Sequence, residues 1–167
     1  EENIPEPLTD EVVAALLEVL PEYARYIVCI LVDTGLRMSE LHRIRWQDVD
    51  TVGRRLYIYK SKSKQFRVVP MTPRLSALFE SLRSGRQWLQ SQNGHSRKAI
   101  VWPDDSKPSA VVIPPIDIKK SLISAAKNIG ADHIHPHQFR HTYATRLMDQ
   151  GVPMKHIMAL GGWKSSA

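Results

Sequence analysis

Apolar residues recur at helical spacing along the first part of the chain and predict three successive helices. The first begins at Thr9, whose side chain can cap a helix, and the second follows Pro21 and ends near Gly35. The third extends from about Ser39 to Trp46. The expected buried stripes are Val12, Leu16, Leu17 and Leu20 in the first helix, Tyr23, Ile27, Ile30 and Leu31 in the second, and Leu41 and Ile44 in the third.

The period changes from helical to extended after a turn at residues 50–53. Residues 56–59 and 66–70 are short runs rich in β-branched and aromatic side chains, and the lysine-rich segment 60–64 separates them. This pattern predicts an antiparallel β-hairpin with a cationic tip.

Helical periodicity returns in the second half of the chain. One helix is predicted to start at Thr72 and Pro73, and two more span residues 118–129 and 137–150, each of which is followed by a glycine. A last helix begins near Pro153. Between these helices, residues 84–95 are polar, with a turn expected at 93–94, and residues 99–103 are predicted to form one more short strand.

These elements together predict an α+β fold that is mainly helical and carries a small antiparallel β-sheet. The length of 167 residues suits one domain, which we place at residues 8–167. Residues 1–7 are acidic and contain two prolines, so they are interpreted as a linker from a longer protein.

Composition and charge narrow the class of function. No apolar run is long enough to cross a bilayer, and we expect neither a signal peptide nor a membrane partner. The formal net charge of +6 favours a polyanionic partner such as nucleic acid. Cys29 is the single cysteine of the chain, so no disulfide can form within it. It lies in an apolar helical run, and a single buried cysteine is typical of a protein from a reducing compartment.

Histidines and arginines are concentrated between residues 133 and 146. His137 and Arg140 are three positions apart, so a helix that starts after Pro136 places both side chains on one face. Arginine binds phosphate through two parallel hydrogen bonds, and histidine titrates near neutral pH. The pair therefore suits phosphate chemistry, although a surface His and Arg at this spacing are also common.

The same stretch raises the alternative of a metal site, because histidine is a common zinc ligand. We disfavour it, since Pro136 interrupts the alternating spacing and no cysteine is nearby. No metal and no cofactor are expected. The histidines that this alternative would use are His133, His135, His137 and His141.

Three further groups are candidates, and each has a purely structural alternative. Arg37 lies in a turn between two helices, with Glu40 close enough to orient it, as in a simple salt bridge. Lys62 and Lys64 alternate at the hairpin tip, as they would in a solvated turn. Trp163 follows two glycines, where it could instead fill the core.

Four motifs that contain these residues occur in a fixed order. Together they resemble the catalytic domain of tyrosine recombinases of the phage integrase family, and the resemblance covers nearly the whole chain. The motifs are Thr34-Gly35-Leu36-Arg37-Met38-Ser39-Glu40-Leu41, Lys62 followed by Arg67-Val68-Val69-Pro70, His137-Gln138-Phe139-Arg140-His141-Thr142-Tyr143-Ala144-Thr145, and Leu160-Gly161-Gly162-Trp163.

The resemblance implies a chemistry for these residues. In the family, a tyrosine attacks a DNA phosphodiester to give a phosphotyrosyl link and a free hydroxyl, without a metal or a nucleotide energy source. Arg37 and Arg140 would hold the non-bridging oxygens, on which negative charge builds up. Lys62 would protonate the leaving sugar oxygen, and His137 would assist proton transfer at the nucleophile.

The remaining roles also follow from the resemblance. Trp163 occupies the position where many relatives carry a second histidine, and its indole N–H can donate to phosphate but cannot transfer protons. Glu40 and His141 are expected to orient the catalytic side chains without contacting the substrate themselves. The hairpin residues expected to contact DNA are Lys60, Lys64 and Arg67.

The chain departs from the family at the nucleophile. The tyrosine is expected shortly after Trp163, and no tyrosine of this chain is a convincing substitute, so we place the nucleophile beyond Ala167. Family members place a DNA-binding domain before the segment that corresponds to Glu1. On this basis we expect the parent protein to cleave DNA, and we expect this chain alone to bind DNA weakly and to cleave nothing.

The expected partner is double-stranded DNA in the cytoplasm of a bacterial host. The parent protein is expected to form a homo-tetramer on DNA, and this chain a monomer in solution. Two alternatives stay open: a type IB topoisomerase with the same chemistry, and a non-catalytic DNA-binding module of the same fold.

Overall fold

The computed structural model describes residues 6–60, 65–92 and 96–164, in which seven α-helices are arranged around two small antiparallel sheets. The helices are α1 (Asp10–Val19), α2 (Glu22–Thr34), α3 (Met38–Leu41), α4 (Pro73–Leu82), α5 (Lys119–Asn128), α6 (Pro136–Asp149) and α7 (Met154–Gly161). The strands are β1 (Val49–Asp50), β2 (Arg55–Tyr59), β3 (Phe66–Pro70), β4 (Arg86–Gln92) and β5 (Ser96–Trp102). The predicted α+β class is confirmed.

Local capping signals set the starts of two helices. The Thr9 hydroxyl accepts a hydrogen bond from the backbone N–H of Val12 at 3.3 Å, and Thr72 accepts one from Leu75 at 3.1 Å. Both residues cap the helices that the sequence predicts there, α1 and α4.

Helix α2 lies at the centre of the core. Its residues Ile27, Val28, Ile30 and Leu31 are fully buried, and the helix packs against α6. The α1 stripe differs slightly from the prediction, because Val13 is buried beside Leu16 and Leu20, whereas Val12 and Leu17 are only partly buried. No helix in the described ranges is long and apolar enough to span a bilayer.

The predicted third helix is wrong in its length. Helix α3 ends at Leu41, and the chain then continues as a turn and a short 3-10 helix, Trp46–Asp48. The backbone is drawn out of the helix by pairing with a distant loop: the N–H of Trp46 donates to Ala110 O at 3.1 Å, and the N–H of Val112 donates to Ile44 O at 2.9 Å.

The polar segment 84–95 contains a strand that the sequence analysis did not predict. Strand β4 pairs with β5 over its whole length, with Trp88 opposite Ile100 and Arg86 opposite Trp102. The Trp88 and Trp102 rings meet edge to face with centroids 4.7 Å apart, and Tyr26 of α2 packs against both. This aromatic cluster attaches the hairpin to α2. The turn expected at 93–94 lies outside the described residues.

The predicted hairpin of residues 56–59 and 66–70 is confirmed as β2 and β3, and β1 adds a third strand to give the order β1-β2-β3. Val69 is fully buried, and Arg67 lies on the same face of β3 because side chains alternate along a strand. The sheet therefore turns the Arg67 side chain inward. The tip of the hairpin, with Lys62 and Lys64, lies outside the described residues.

Candidate active site

Arg140 is the most deeply buried charged side chain among the described residues, with 1% of its surface exposed. It projects from α6, and its Nη1 donates to the backbone oxygen of Gly35 at 2.6 Å. Its Nε and Nη2 have no hydrogen-bond partner in the described part of the chain. Buried polar groups are nearly always paired, so two unpaired donors on one guanidinium indicate a position for an anionic ligand.

The Gly35 turn brings Arg37 to the same place. Gly35 ends α2 in the left-handed conformation, with φ of 66°, and a Cβ there would overlap the ring of Tyr143. The turn buries Leu36 and leaves the side chain of Arg37 half exposed, at 49%. The turn thus supplies both the carbonyl that holds Arg140 and a second guanidinium beside it.

Glu40 holds the start of α3. Its Oε2 accepts a hydrogen bond from the backbone N–H of Arg37 at 2.9 Å, and its Oε1 lies 3.6 Å from Nη1 of the Arg37 side chain. Glu40 is also paired with Arg67, whose Nη1 and Nη2 donate to the two carboxylate oxygens at 2.9 and 3.0 Å. The carboxylate thus contacts two arginines.

Arg67 forms a third hydrogen bond, in which its Nε donates to Leu160 O at 2.8 Å. Leu160 is near the end of α7, which closes at Gly162 in the left-handed conformation with φ of 68°. The guanidinium of Arg67 is therefore engaged on all three nitrogens within the protein. Its predicted contact with DNA stays a prediction.

Trp163 follows this turn and packs its indole ring on Arg140. The Cζ of Arg140 lies 4.0 Å from the centre of the ring, a cation–π contact that holds the plane of the guanidinium. The turn at Gly162, the turn at Gly35 and helix α6 therefore enclose Arg140 together.

His137 and His141 lie one helical turn apart on α6, with ring centroids 5.0 Å apart and the rings edge to face. Partial burial lowers the pKa of His137, and the charge of Arg140 and then those of His135 and Arg37 lower it further. Burial followed by His137 and Arg140 lowers the pKa of His141. Both imidazoles are therefore mainly neutral at neutral pH and able to accept a proton.

The environment of the site also shifts the pKa values of Arg140 and Glu40. Burial, followed by the charge of Arg37, lowers the pKa of Arg140 to about 10, so the guanidinium still carries its positive charge at neutral pH. Burial by itself would raise the pKa of Glu40. The hydrogen bonds and charges of Arg67 and Arg37 outweigh this effect and bring the pKa of Glu40 below its usual value.

The structure thus brings together seven of the side chains that the sequence singled out. They are His137, Arg140 and His141 from α6, Trp163 from the turn after α7, Arg37 and Glu40 from the α2–α3 turn, and Arg67 from β3. Lys60 is exposed at the end of β2 and donates to Gln65 Oε1 at 3.0 Å. Lys62 and Lys64 lie outside the described residues, so their roles stay predictions.

Sequence reasoning missed two backbone contributors, the carbonyl oxygens of Gly35 and Leu160, and the inward direction of Arg67. Carbonyl groups leave no signal in the side-chain pattern. The alternation of β3 could have indicated the direction of Arg67, because Arg67 is two residues before the apolar Val69.

Comparison with known proteins assigns the chain to a protein family. The profile described as "Phage integrase family" matches residues 6–167. The chain belongs to the phage integrase family. The match covers nearly the whole chain. It includes the α2–α3 turn, the β2–β3 sheet and helices α6 and α7.

Two curated relatives illustrate the similarity of this phage integrase family chain. The integrase of Salmonella phage P22 is 26% identical over 153 residues, which are 90% of this chain and 38% of that protein. The tyrosine recombinase XerA of Thermococcus kodakarensis is 29% identical over 163 residues, which are 96% of this chain and 55% of that protein. The chain thus spans about half or less of the length of these relatives.

Solved structures show the same fold. The crystal structure of XerA recombinase matches 99% of this chain and 58% of its own with a TM-score of 0.72 and 21% identity. The Tn1549 transposon integrase in complex with circular intermediate DNA matches 99% of this chain and 61% of its own with a TM-score of 0.71 and 20% identity. This member of the phage integrase family therefore has the catalytic-domain fold of tyrosine recombinases.

Proposed function

We propose that the protein containing this chain is a tyrosine recombinase that cleaves and rejoins DNA strands at specific sites. The observation that carries the proposal is the buried guanidinium of Arg140, whose Nε and Nη2 are unpaired within the described residues and lie in a cluster with Arg37 and His137. Two cationic donors can stabilise the negative charge that builds up on an attacked phosphodiester, and a neutral imidazole can accept a proton from the nucleophile.

The contacts of these groups support a distinct task for each of them. Arg140 donates from Nε and Nη2 to the non-bridging oxygens, and its Gly35 and Trp163 contacts fix it before the DNA arrives. Arg37 reaches the same phosphate from the exposed side. His137, neutral at neutral pH, accepts the proton that the nucleophile loses.

The full step balances with two further groups. A tyrosine oxygen forms a bond to phosphorus as the bond from phosphorus to the sugar oxygen breaks, and Lys62 donates the proton that the sugar oxygen needs. We place the nucleophilic tyrosine outside the 167 residues. Tyr143 does not fit the role, because it is buried and its ring packs on Gly35.

A basic groove beside the site supports double-stranded DNA as the substrate. The groove has a volume of about 420 Å³, and its charged lining residues are the exposed Arg43, Arg45 and Lys60 together with Glu40 and Asp48. Lysine and arginine in such a groove attract the phosphate backbone. With the family as support, we further propose a homo-tetramer on DNA, a monomer for this chain alone, and action in the cytoplasm of a bacterial host.

The proposal is tested with the full-length protein and a pool of nicked duplexes of randomised sequence, from which the cleaved strand dissociates and traps the covalent product. We expect a protein–DNA adduct that survives denaturation with detergent and that Arg140→Met abolishes. Failure to form any adduct would overturn the proposal. DNA binding without an adduct would instead support a binding module, and plasmid relaxation without joining of two sites would support a topoisomerase.

A further inference from the structure

Arg67 occupies a place in the structure that its predicted role as a DNA contact does not explain. Only 16% of its side chain and 12% of that of Glu40 are exposed, although Arg67 comes from a strand at the edge of its sheet. Its three nitrogens all donate to the protein, two to Glu40 and one to Leu160 O. We call this set of hydrogen bonds the Arg67 bridge.

The Arg67 bridge joins the two turns that enclose Arg140. At one end, Glu40 accepts the backbone N–H of Arg37 and so fixes the turn that presents Arg37. At the other end, Leu160 is three residues before Trp163, which packs on Arg140. The guanidinium also contacts Gly162 closely, because a Cβ there would lie 2.9 Å from its Nη1.

The charges show a second consequence of the Arg67 bridge. Arg67 contacts both oxygens of Glu40 at 2.9 and 3.0 Å, whereas Nη1 of Arg37 is 3.6 Å away from the nearer one. A two-point arginine–carboxylate pair is stronger and more directional than a distant single contact. Glu40 is therefore occupied by Arg67, and the half-exposed side chain of Arg37 is left available for a phosphate.

We propose that Arg67 is a positioning residue that keeps Arg37 free for the DNA phosphate by occupying Glu40, while it fixes the turn that carries Trp163. This inference rests on the proposed function for its catalytic consequence. If Arg67 is removed, Glu40 captures the guanidinium of Arg37 and draws it away from the phosphate. Loss of the hydrogen bond to Leu160 O also loosens the turn before Trp163.

The first test measures the single-turnover rate of adduct formation by the full-length protein on the nicked duplexes. We expect Arg67→Met to lower the rate about 10- to 100-fold, the scale expected when a reacting group is misplaced. Arg67→Lys keeps the charge but not the two-point contact, so its rate should lie between the rates of the wild type and of Arg67→Met. The matched control is Arg74→Met on α4, which removes a similar two-point pair with Asp33 of α2 and should leave the rate unchanged.

The decisive variant is the double substitution Arg67→Met with Glu40→Gln. Glutamine keeps an acceptor for the backbone N–H of Arg37 but carries no charge that could capture its side chain. The double variant should therefore recover at least part of the rate lost in Arg67→Met. If the double variant is no faster than Arg67→Met while the wild type forms adducts, the positioning role is excluded and the proposed function stands.

A second readout does not depend on cleavage. NMR relaxation of the arginine Nε–H groups in the full-length protein should show a mobile Arg37 in the wild type, an immobilised Arg37 in Arg67→Met, and an Arg37 of intermediate mobility in Arg67→Lys. An Arg37 that stays equally mobile in these variants would overturn the inference. If the wild type forms no adduct, the proposed function fails, and this measurement alone still decides how Arg67 acts on Arg37.

Discussion

Arg140 shows at the scale of one residue how the site departs from ordinary core packing. Its guanidinium is buried, is paired once to Gly35 O, and carries two unpaired donors within the described residues. A buried donor without a partner costs about 1–3 kcal/mol of stability, and the neighbouring charge of Arg37 adds repulsion. This arrangement is unfavourable for folding and favourable for binding an anion.

We therefore predict that Arg140→Met separates stability from activity. Methionine fills most of the same space without unpaired donors, so the free energy of unfolding should stay unchanged or rise by up to about 2 kcal/mol. Adduct formation should fall at least about 100-fold, because donors to the reacting phosphate are lost. Urea denaturation and the adduct assay measure the two effects.

The matched control for this substitution is Arg146→Met on the same helix. Arg146 pairs with Asp10 at 2.7 Å and lies 3.9 Å from Asp33, and its side chain is 30% exposed, so its loss removes ion pairs but no unpaired buried donor. Adduct formation by this variant should stay near that of the wild type. A drop in stability of several kcal/mol for Arg140→Met would show that Arg140 is a structural residue and not a poised ligand.

At the scale of elements, local signals predicted helices well and long-range pairing poorly. Thr9, Thr72 and Gly35 carry their capping information in their own side chains or backbone freedom, so α1, α2 and α4 start or end where expected. The early end of α3 depends on hydrogen bonds to residues 108–112, and β4 depends on an aromatic cluster with α2. Neither partner is visible from the spacing along the chain.

Helix α6 is also held from outside by the segment that precedes α1. The N–H of Leu8 donates to the hydroxyl of Thr142 at 2.9 Å, and Nε2 of Gln138 donates to Glu6 O at 3.3 Å. Thr142 is buried and lies two residues after Arg140 on the same helix. Glu6, in the predicted linker, and Leu8, directly after it, therefore contact the helix that carries the candidate site.

We predict that Thr142→Val weakens this attachment. Valine has nearly the same shape but cannot accept the hydrogen bond, so the N–H of Leu8 loses its partner and unfolding should become easier by about 1–2 kcal/mol. Urea denaturation measures the change. Thr145→Val on the same helix serves as control and should shift stability by less than about 0.5 kcal/mol. Equal effects of the two substitutions would show that the contact with Leu8 contributes nothing.

At the scale of the whole molecule, the site is assembled from parts that are far apart in sequence. The sequence identified Arg37, His137, Arg140 and Trp163 as candidates through the order of four motifs, and the structure brings them around one guanidinium. The sequence could not predict which partners they choose, because Arg67 meets Glu40 and Leu160 only after the sheet has packed on α3 and α7. Pairing of this kind depends on tertiary structure and not on local pattern.

The histidines give the whole molecule a dependence of stability on pH. Burial is the main cause that lowers the pKa of His42, His137 and His141 in the folded state. In the unfolded chain histidine takes up a proton near its ordinary pKa of about 6.5, and in the folded protein these three take it up only at lower pH. The unfolded state therefore binds more protons in this window, and the stability that the neutral imidazoles contribute is present above pH 6.5 or so and is lost as pH falls through the folded pKa values.

We accordingly predict that the free energy of unfolding decreases as the pH is lowered from about 7 to about 5.5, a range that lies above the ordinary carboxyl pKa values. Urea denaturation of the full-length protein at several pH values measures the slope. His141→Gln should make the slope shallower, because glutamine cannot take up the proton that the unfolded wild type binds. A stability that stays constant or rises as the pH falls would contradict the lowered pKa values, and with them the neutral His137 that the proposed proton transfer requires.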